Sequence, residues 1–136
     1  MASFLDTLGI ASTGLSAQRI RINFISANMA NANTTRIAGE GSGPYVKKNV
    51  IFKQILEGEN RGGVKTQVVT DRKESQLRYE PSHPDANEAG YVAYPNINPV
   101  EELVNLLEAH RSYEANVTII NTAKQLAQQA ISIGRG

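Results

Sequence analysis

Residues 98–136 read NPVEELVNLLEAHRSYEANVTIINTAKQLAQQAISIGRG, and this stretch decides the fold. Asn98 is a favoured N-cap residue, Pro99 suits the first helical position, and Gly134 stands where helices commonly end. The pattern predicts one helix over 99–133, about 52 Å long at the usual rise of about 1.5 Å per residue. A chain of 136 residues cannot enclose such a helix, so part of its apolar surface needs another partner.

The apolar residues of this predicted helix form two lines. The first follows the alternating three- and four-residue spacing of a heptad seam, which is typical of helices that pack along their length. The second occupies the C-terminal half, and one partner within the chain could cover only one of the two lines. We therefore predict that this helix also contacts other subunits. The first line comprises Leu103, Leu106, His110, Tyr113, Val117, Ile120, Lys124, Ala127 and Ile131, and the second Ile119, Ala123, Leu126, Ala130 and Ile133.

The N-terminal segment carries a second heptad helix. Ser3 and Asp6 have the spacing of a capping box, and the segment ends in an asparagine-rich turn at 31–35. Gly9 and Gly14 each cost about 1 kcal/mol relative to Ala, so packing rather than intrinsic propensity is expected to hold this helix. Its seam comprises Phe4, Leu8, Ala11, Leu15, Gln18, Ile22, Ile25, Met29 and Ala32. Of these, the predicted interface residues are Leu8, Leu15, Ile22, Ile25 and Met29.

Residues 34–96 differ in composition and predict a small β-rich insertion with a glycine-rich loop at 39–44. A sheet of three or four short strands would depend on packing against the helices. The predicted strands cover residues 45–55, 64–70, 76–79 and 91–94.

The predicted fold is mainly α with a small β insertion. Residues 1–33 and 97–136 form a discontinuous helical coiled-coil domain, in which the two long terminal helices make a coiled-coil-like pair. Residues 34–96 form the loop and short β-rich middle region. A plain helical hairpin within one chain is the alternative to contacts between subunits.

Composition excludes several classes of function. The chain has no cysteine, which rules out disulfide scaffolds and thiol chemistry. A net charge of +1 indicates no nucleic-acid partner. No apolar run approaches the roughly 18 residues of a membrane helix, and residues 1–10 lack the pattern of a cleaved signal peptide.

No constellation of residues predicts an enzyme, a cofactor, a metal or a small-molecule substrate. Ser82, His83 and Asp85 lie too close together in a proline-bounded loop to take triad geometry easily. His110 lacks further histidine ligands in a chain with two histidines. Glu101 and Glu102 are expected to be solvated charges in the first helical turn. A small hydrolase built on the His83 loop remains a distinct alternative.

The asparagines of the two helices are more informative than the charges. A buried asparagine in a helix pair costs stability but fixes register and partner choice. Surface polarity is the alternative reading for each of them. The candidates for the register role are Asn28, Asn31, Asn33 and Asn116.

Two stretches resemble a known family. Residues 26–34, SANMANANT, resemble the Ala-Asn-rich N-terminal motif of flagellar rod, hook and hook-associated axial proteins. Residues 81–96, PSHPDANEAGYVAYPN, followed by VEEL at 100–103 and AHRSYEAN at 109–116, look like the C-type proximal rod proteins of the bacterial flagellar basal body. The resemblance covers nearly the whole chain.

The resemblance implies a non-enzymatic subunit that assembles with copies of itself and other rod proteins into the helical drive shaft, which transmits torque from the motor to the hook and filament. Its further implied partners are the basal-body ring and junction proteins. It also implies export through the flagellar type III apparatus without a cleaved signal, and a location in the rod, in the periplasmic space. A coiled-coil adaptor or export-chaperone-like protein, expected to form a stable small oligomer, is the alternative function.

One short segment resembles an export signal. Phe52-Lys-Gln-Ile-Leu56 has the Phe-x-x-x-apolar pattern that early flagellar export substrates present to the export gate. We favour the alternative that this segment is a buried strand.

Overall fold

The computed structural model describes residues 3–39, 41, 43–58 and 61–136. Two long helices flank four short strands, which confirms the predicted, mainly helical fold with a small β insertion. None of the described helices is long and apolar enough to cross a membrane. In chain order the elements are α1 (Phe4–Ala30), β1 (Lys48–Gln54), β2 (Val64–Thr70), β3 (Gln76–Tyr79), β4 (Tyr91–Tyr94) and α2 (Pro99–Arg135).

The predicted capping box opens α1. The Ser3 amide donates to Asp6 Oδ2 at 2.8 Å, and the Asp6 amide donates to Ser3 Oγ at 3.1 Å. The hydrogen bonds with Ser3 lower the pKa of the Asp6 carboxyl, and the bond from the Ser3 backbone has the larger effect. At the other end, the Ala27 carbonyl accepts two bonds from Asn31, one from its backbone amide at 3.0 Å and one from Nδ2 at 2.9 Å.

Asn98 caps α2 as predicted, since its Oδ1 accepts the Val100 amide at 3.0 Å and Pro99 is the first helical residue. The predicted end is wrong: α2 continues through Gly134 to Arg135. A terminating glycine adopts a left-handed backbone conformation. Gly134 is not among the glycines with positive φ, so here glycine permits a helix end without imposing one.

Replacing Asn98 with alanine should therefore destabilise the start of α2. We expect Asn98→Ala to lower the free energy of unfolding by about 1 kcal/mol, because the Val100 amide loses its acceptor. Chemical denaturation followed by tyrosine fluorescence measures the change. Asn98→Ser keeps a capping oxygen and should retain most of the stability; equal stability of the alanine variant and wild type would contradict the assignment.

The strands form two separate sheets rather than the single sheet predicted. β1 pairs with β2, and β3 pairs with β4 in antiparallel register with Gln76 opposite Tyr94. Each sheet consists of two strands that follow one another in sequence and are joined by a loop. β1 begins three residues later than predicted. Glu40 and Ser42 of the predicted glycine-rich loop lie outside the described residues.

The chain divides into two compact units. The first comprises Met1–Ile22, Ile51–Gln67 and Leu107–Gly136, and the second comprises Asn23–Val50 and Val68–Leu106. Both helices contribute residues to both units. The domain boundaries predicted from sequence follow changes in composition, whereas these units follow packing.

In the first unit, α1 and α2 run antiparallel. A Cβ built on Gly14 would lie 3.3 Å from Asn116 Nδ2, so the two helices approach closely there. Further along α1, Arg21 lies 3.9 Å from Glu108, which precedes Asn116 on α2. β2 joins this pair because the Val64 amide donates to Thr13 Oγ1 at 3.0 Å.

The second unit buries the inner face of the β3–β4 sheet. Val92 and Tyr94 are buried there, and the Arg78 guanidinium lies 4.4 Å from the centre of the Tyr94 ring. The Tyr94 hydroxyl donates to Glu80 Oε2 at 2.9 Å, and this bond raises the pKa of Tyr94. In the loop before β4, Gly90 has a φ of 84°.

Gly90 should tolerate no side chain. A Cβ there would lie 2.9 Å from Tyr79 Cε2, and the positive φ strains any L-residue. We expect Gly90→Ala to cost about 2 kcal/mol of unfolding free energy, measured by denaturant titration. Gly39→Ala is the matched control, because Gly39 has a φ of 88° with no neighbour within 4 Å. An equal effect of the two substitutions would show that the Tyr79 contact contributes nothing.

Candidate subunit interface

The side of α2 that packs within the chain lies one residue away from half of the predicted seam. Leu103, His110 and Lys124 are exposed, whereas the residues just before them, Glu102, Ala109 and Ala123, are buried or half-buried. The seam was predicted from apolar residues, which selects Leu103 instead of Glu102 and Val117 instead of Asn116. Seam positions with polar or small side chains are missed in this way. The buried and half-buried positions with regular heptad spacing are Glu102, Leu106, Ala109, Tyr113, Asn116, Ile120, Ala123 and Ala127.

The seam of α1 lies only partly where the sequence pattern places it, because the buried Ala17 and Asn28 each stand one residue before the predicted members Gln18 and Met29. Ile25 is buried and Phe4, at the start, is exposed. Because most of this seam is already covered within the chain, it offers less free surface than α2. Its half-buried members include Leu8, Leu15, Ile22 and Met29.

The second apolar line of α2 is uncovered except at Ala123, which is half-buried. Ile119, Leu126 and Ile133 are 51%, 59% and 80% exposed. They are spaced seven residues apart, so they lie on one side of the helix, about 10 Å from one to the next. We call these three residues the C-terminal stripe. Large apolar side chains exposed in a row mark a surface that packs against another molecule.

The start of α2 exposes a further apolar group in the second unit. Val100, Leu103 and Val104 are all exposed there. Only Leu103 is a predicted interface residue. Val100 is three residues from Leu103 and four from Val104, and this helical spacing in the sequence indicates that the three side chains share one side of α2.

Asn28 occupies a buried polar cluster in the second unit and is 1% exposed. Its Nδ2 donates to the Lys48 carbonyl at 2.8 Å, and its Oδ1 accepts the Lys48 amide at 3.1 Å. The Tyr45 hydroxyl also donates to Oδ1, at 3.0 Å. The side-chain amide of Asn28 thus binds both backbone groups of Lys48 and fixes the start of β1 against α1.

Glu102 completes this cluster, and the prediction that it is solvated is wrong. It is 1% exposed, forms an ion pair with Lys47, and accepts a bond of 3.4 Å from Asn28 Nδ2. Burial raises the pKa of Tyr45, and the nearby charge of Glu102 adds to the effect. Glu102 can be buried because Lys47 supplies a cation and Asn28 supplies an amide donor. Both residues are distant in sequence, so no local pattern predicts this burial.

In comparison with known proteins, the polar cluster and the C-terminal stripe contain residues that lie in ranges matched by family models. A family model described as "Flagella basal body rod protein" matches residues 8–36, and one described as "Flagellar basal body rod FlgEFG protein C-terminal" matches residues 88–133. The flagellar basal-body rod protein FlgC of Buchnera aphidicola is 42% identical over 134 residues, covering 97% of this chain and 98% of that protein. The chain belongs to the FlgC family of flagellar basal-body rod proteins.

More distant FlgC proteins match over the same length. The FlgC of Bacillus subtilis is 39% identical, over 95% of this chain and 97% of its own, and that of Salmonella typhimurium is 36% identical, over 98% and 99%. These matches confirm the family resemblance drawn from the sequence. Asn28 falls in the first matched segment, while Glu102 and the C-terminal stripe fall in the second.

The other predicted register asparagines of this FlgC-family chain have different surroundings. Asn116 is half-buried against Gly14, and Asn33 is exposed. Asn31 bonds locally, since its Oδ1 accepts the Thr34 hydroxyl at 3.1 Å. A role in register stays a prediction for all of them.

The segment resembling an export signal is not the buried strand that we favoured. Phe52 lies in β1 and Leu56 follows it, and both side chains are exposed. Phe52 also lines an open groove of about 400 Å³ in the first unit, together with Ile10 and Ile119.

Neither histidine has a catalytic arrangement. His83 Nδ1 accepts the backbone amide of Asp85 at 3.0 Å, while the Asp85 carboxylate binds Thr35 at 2.7 Å and Arg36 at 3.2 Å. Asp85 therefore does not orient His83 as a triad aspartate would. His110 lies 3.3 Å from Glu114 on the exposed side of α2. Among the described residues, no three His, Asp or Glu side chains are placed to hold a metal.

Proposed function

We propose that this FlgC-family chain is a structural subunit of the proximal rod, which assembles with copies of itself and with other rod proteins into a shaft that transmits torque. The observation that carries the proposal is the C-terminal stripe, a row of large apolar side chains left exposed on a 37-residue helix. FlgC proteins are named as rod proteins, and membership in this family agrees with the prediction that the chain is not an enzyme.

The packing of each unit suits a load-bearing element. In the first unit, antiparallel helices meet at Gly14 and Asn116, so bending one requires bending the other. In the second, the Asn28 cluster ties β1 to both helices. Contacts between different surfaces of neighbouring copies do not close on themselves and generate a helical assembly.

The seams and their asparagines are proposed to contribute to subunit contacts where they remain accessible. On α2, Leu106, Tyr113, Val117 and Ile120 are half-buried, so a neighbour could still touch them. Leu103 is 46% exposed and belongs to the exposed group at the start of the helix.

Export and location follow the same proposal. The chain would pass through the flagellar type III apparatus without losing a signal and would reach the rod in the periplasmic space, next to ring and junction proteins. Phe52 and Leu56 are proposed to act as the export signal, and their exposure supports recognition of this segment.

Deletion and complementation test the function. We expect a deletion strain to be non-motile and to lack rods, and a tagged copy of this chain to restore swimming and to co-purify with isolated basal bodies. A motile deletion strain would refute the proposal. Recovery of the chain outside basal bodies as a stable small oligomer would favour the adaptor or chaperone instead.

A further inference from the structure

A polar groove opens between the two helices of the first unit. It has a volume of about 270 Å³ and is lined by Ser12, Leu15, Ser16, Arg19 and Tyr113. Ser12, Ser16 and Arg19 are exposed and follow one another at four and three residues, so they share one side of α1. Tyr113 is half-buried and bounds the groove from α2. We call Ser12, Ser16, Arg19 and Tyr113 the donor cluster.

The donor cluster offers hydrogen-bond donors around one positive charge. The Arg19 guanidinium carries five N–H donors and no acceptor, and each hydroxyl of the cluster can donate one hydrogen bond. None of the described residues that line the groove is acidic. The two acidic residues of α2 in the first unit have other partners, since Glu108 lies 3.9 Å from Arg21 and Glu114 lies 3.3 Å from His110. Within the described part of the chain Arg19 takes part in no ion pair, so its charge can be met by a group from another molecule.

A carboxylate is the ligand that this cluster fits best. Its two oxygens can accept a pair of parallel bonds from a guanidinium, and their remaining lone pairs can accept bonds from hydroxyl groups. Its single negative charge equals the single positive charge of Arg19. A phosphate monoester carries a charge of about −1.5 to −2 at pH 7 and would bring more negative charge than the groove can neutralise.

We propose that the donor cluster binds the carboxylate of an aspartate or glutamate side chain on a neighbouring rod subunit. The inference rests on the proposed function and deepens it by naming the chemistry of one contact in the rod. When a neighbour covers the groove and excludes water, the guanidinium attracts a carboxylate more strongly than it does in solvent. A neighbour that brings no carboxylate leaves the covered guanidinium without a partner. The contact therefore favours one placement of the neighbour over others.

Arg19→Lys makes this contact detectable by chemical crosslinking. A carbodiimide joins an amine to a carboxylate in direct contact with it, and it does not couple a guanidinium in this way. We expect basal bodies isolated from an Arg19→Lys strain to give, after carbodiimide treatment, a product that links residue 19 to an aspartate or glutamate of a neighbouring rod subunit. Gel migration shows that two chains are joined, and mass spectrometry of the linked peptides identifies the partner residue.

Two comparisons control for chance contacts in this experiment. Wild-type basal bodies have no amine at residue 19 and should not give the product. Ser26→Lys adds an amine at another exposed residue of α1, about two turns from Arg19, and should give no link at residue 26.

Charge reversal at the same residue tests whether the rod needs this contact. Arg19→Glu should abolish swimming in soft agar, because it brings two carboxylates together in the covered groove. Arg19→Lys keeps the cation and should swim better than Arg19→Glu, while Ser26→Glu adds the same negative charge outside the groove and should swim like the wild type. Because Arg19 is exposed, the purified Arg19→Glu chain should unfold at the same denaturant concentration as the wild type. If it does not fold, Arg19→Met removes the charge alone and should still reduce swimming.

Four results would overturn the inference. They are a link confined to one chain, a link only to a protein outside the rod, a yield equal to that of the Ser26→Lys control, and normal swimming of a folded Arg19→Glu chain. A link to a second copy or to another rod protein supports the inference and identifies the neighbour. If wild-type basal bodies contain the chain but residue 19 of the lysine variant links to nothing, this contact is wrong while the proposed function stands. If wild-type basal bodies lack the chain, the proposed function itself fails.

Discussion

Leu126→Asp is expected to abolish swimming while leaving the folded chain intact. Leu126 is 59% exposed, so a carboxylate there meets water in the free subunit and should change its unfolding free energy by less than about 0.5 kcal/mol. In an assembled rod the same carboxylate would be buried in an apolar contact with no cation to pair it. Swimming in soft agar measures the loss, and denaturant titration of the purified variant measures its stability.

The surrounding helix supplies the controls for this substitution. Gln128→Asp adds the same charge two residues away on another side of α2 and should leave swimming intact. Ile120→Asp is less informative, because Ile120 is half-buried and the change would disturb the packing of α2 as well as any contact between subunits. Normal swimming of the Leu126 variant would remove the C-terminal stripe from the interface.

Lys47→Met is expected to be the most destabilising single change in the buried cluster. It leaves the fully buried Glu102 carboxylate without its cation, which should cost about 3 kcal/mol of unfolding free energy. Glu102→Leu should cost less, since the Lys47 side chain is 13% exposed and can turn its ammonium towards water. Tyrosine fluorescence during denaturation measures the unfolding free energy of both variants.

A double-mutant cycle separates the ion pair from simple packing. Lys47→Met/Glu102→Leu should recover most of the stability, because no charge is then left unpaired in the interior. Lys48→Met is the matched control: its side chain is exposed and only its backbone bonds to Asn28. Additive effects of the two single changes would show that the pair does not act as a unit.

The caps and the strands could be predicted from sequence because their determinants are local. Ser3 and Asp6 lie three residues apart and bond to each other, and Asn98 bonds to the amide two residues on. β2, β3 and β4 have the predicted bounds, since short β-rich runs bounded by turn residues leave few alternatives.

The seam of α2 and the polar cluster could not be predicted in the same way. Glu102 is buried only because Lys47 and Asn28, distant in sequence, converge on it. A prediction based on apolar residues selects Leu103 instead of Glu102, and so places the seam one residue away from the side of α2 that packs. The exposed C-terminal stripe could be anticipated, because the predicted helix has two apolar lines and one intramolecular partner covers only one. The exposure of Leu77, Tyr79 and Tyr91 on the β3–β4 sheet could not be predicted, because these residues are divided between two strands that the chain separates by eleven residues.

The composition of the compact units sets an order of events for folding. Each unit needs part of α2: residues 99–106 belong to the second and residues 107–136 to the first. A chain that emerges N-terminus first, whether from a ribosome or from a narrow channel, therefore holds no complete unit until residue 106 is released, and the first unit also needs residues 107–136. Contacts this far apart in sequence also make folding slow. Most of the chain can therefore pass through a narrow channel before either unit is complete, and the first unit can form only after α2 has been released.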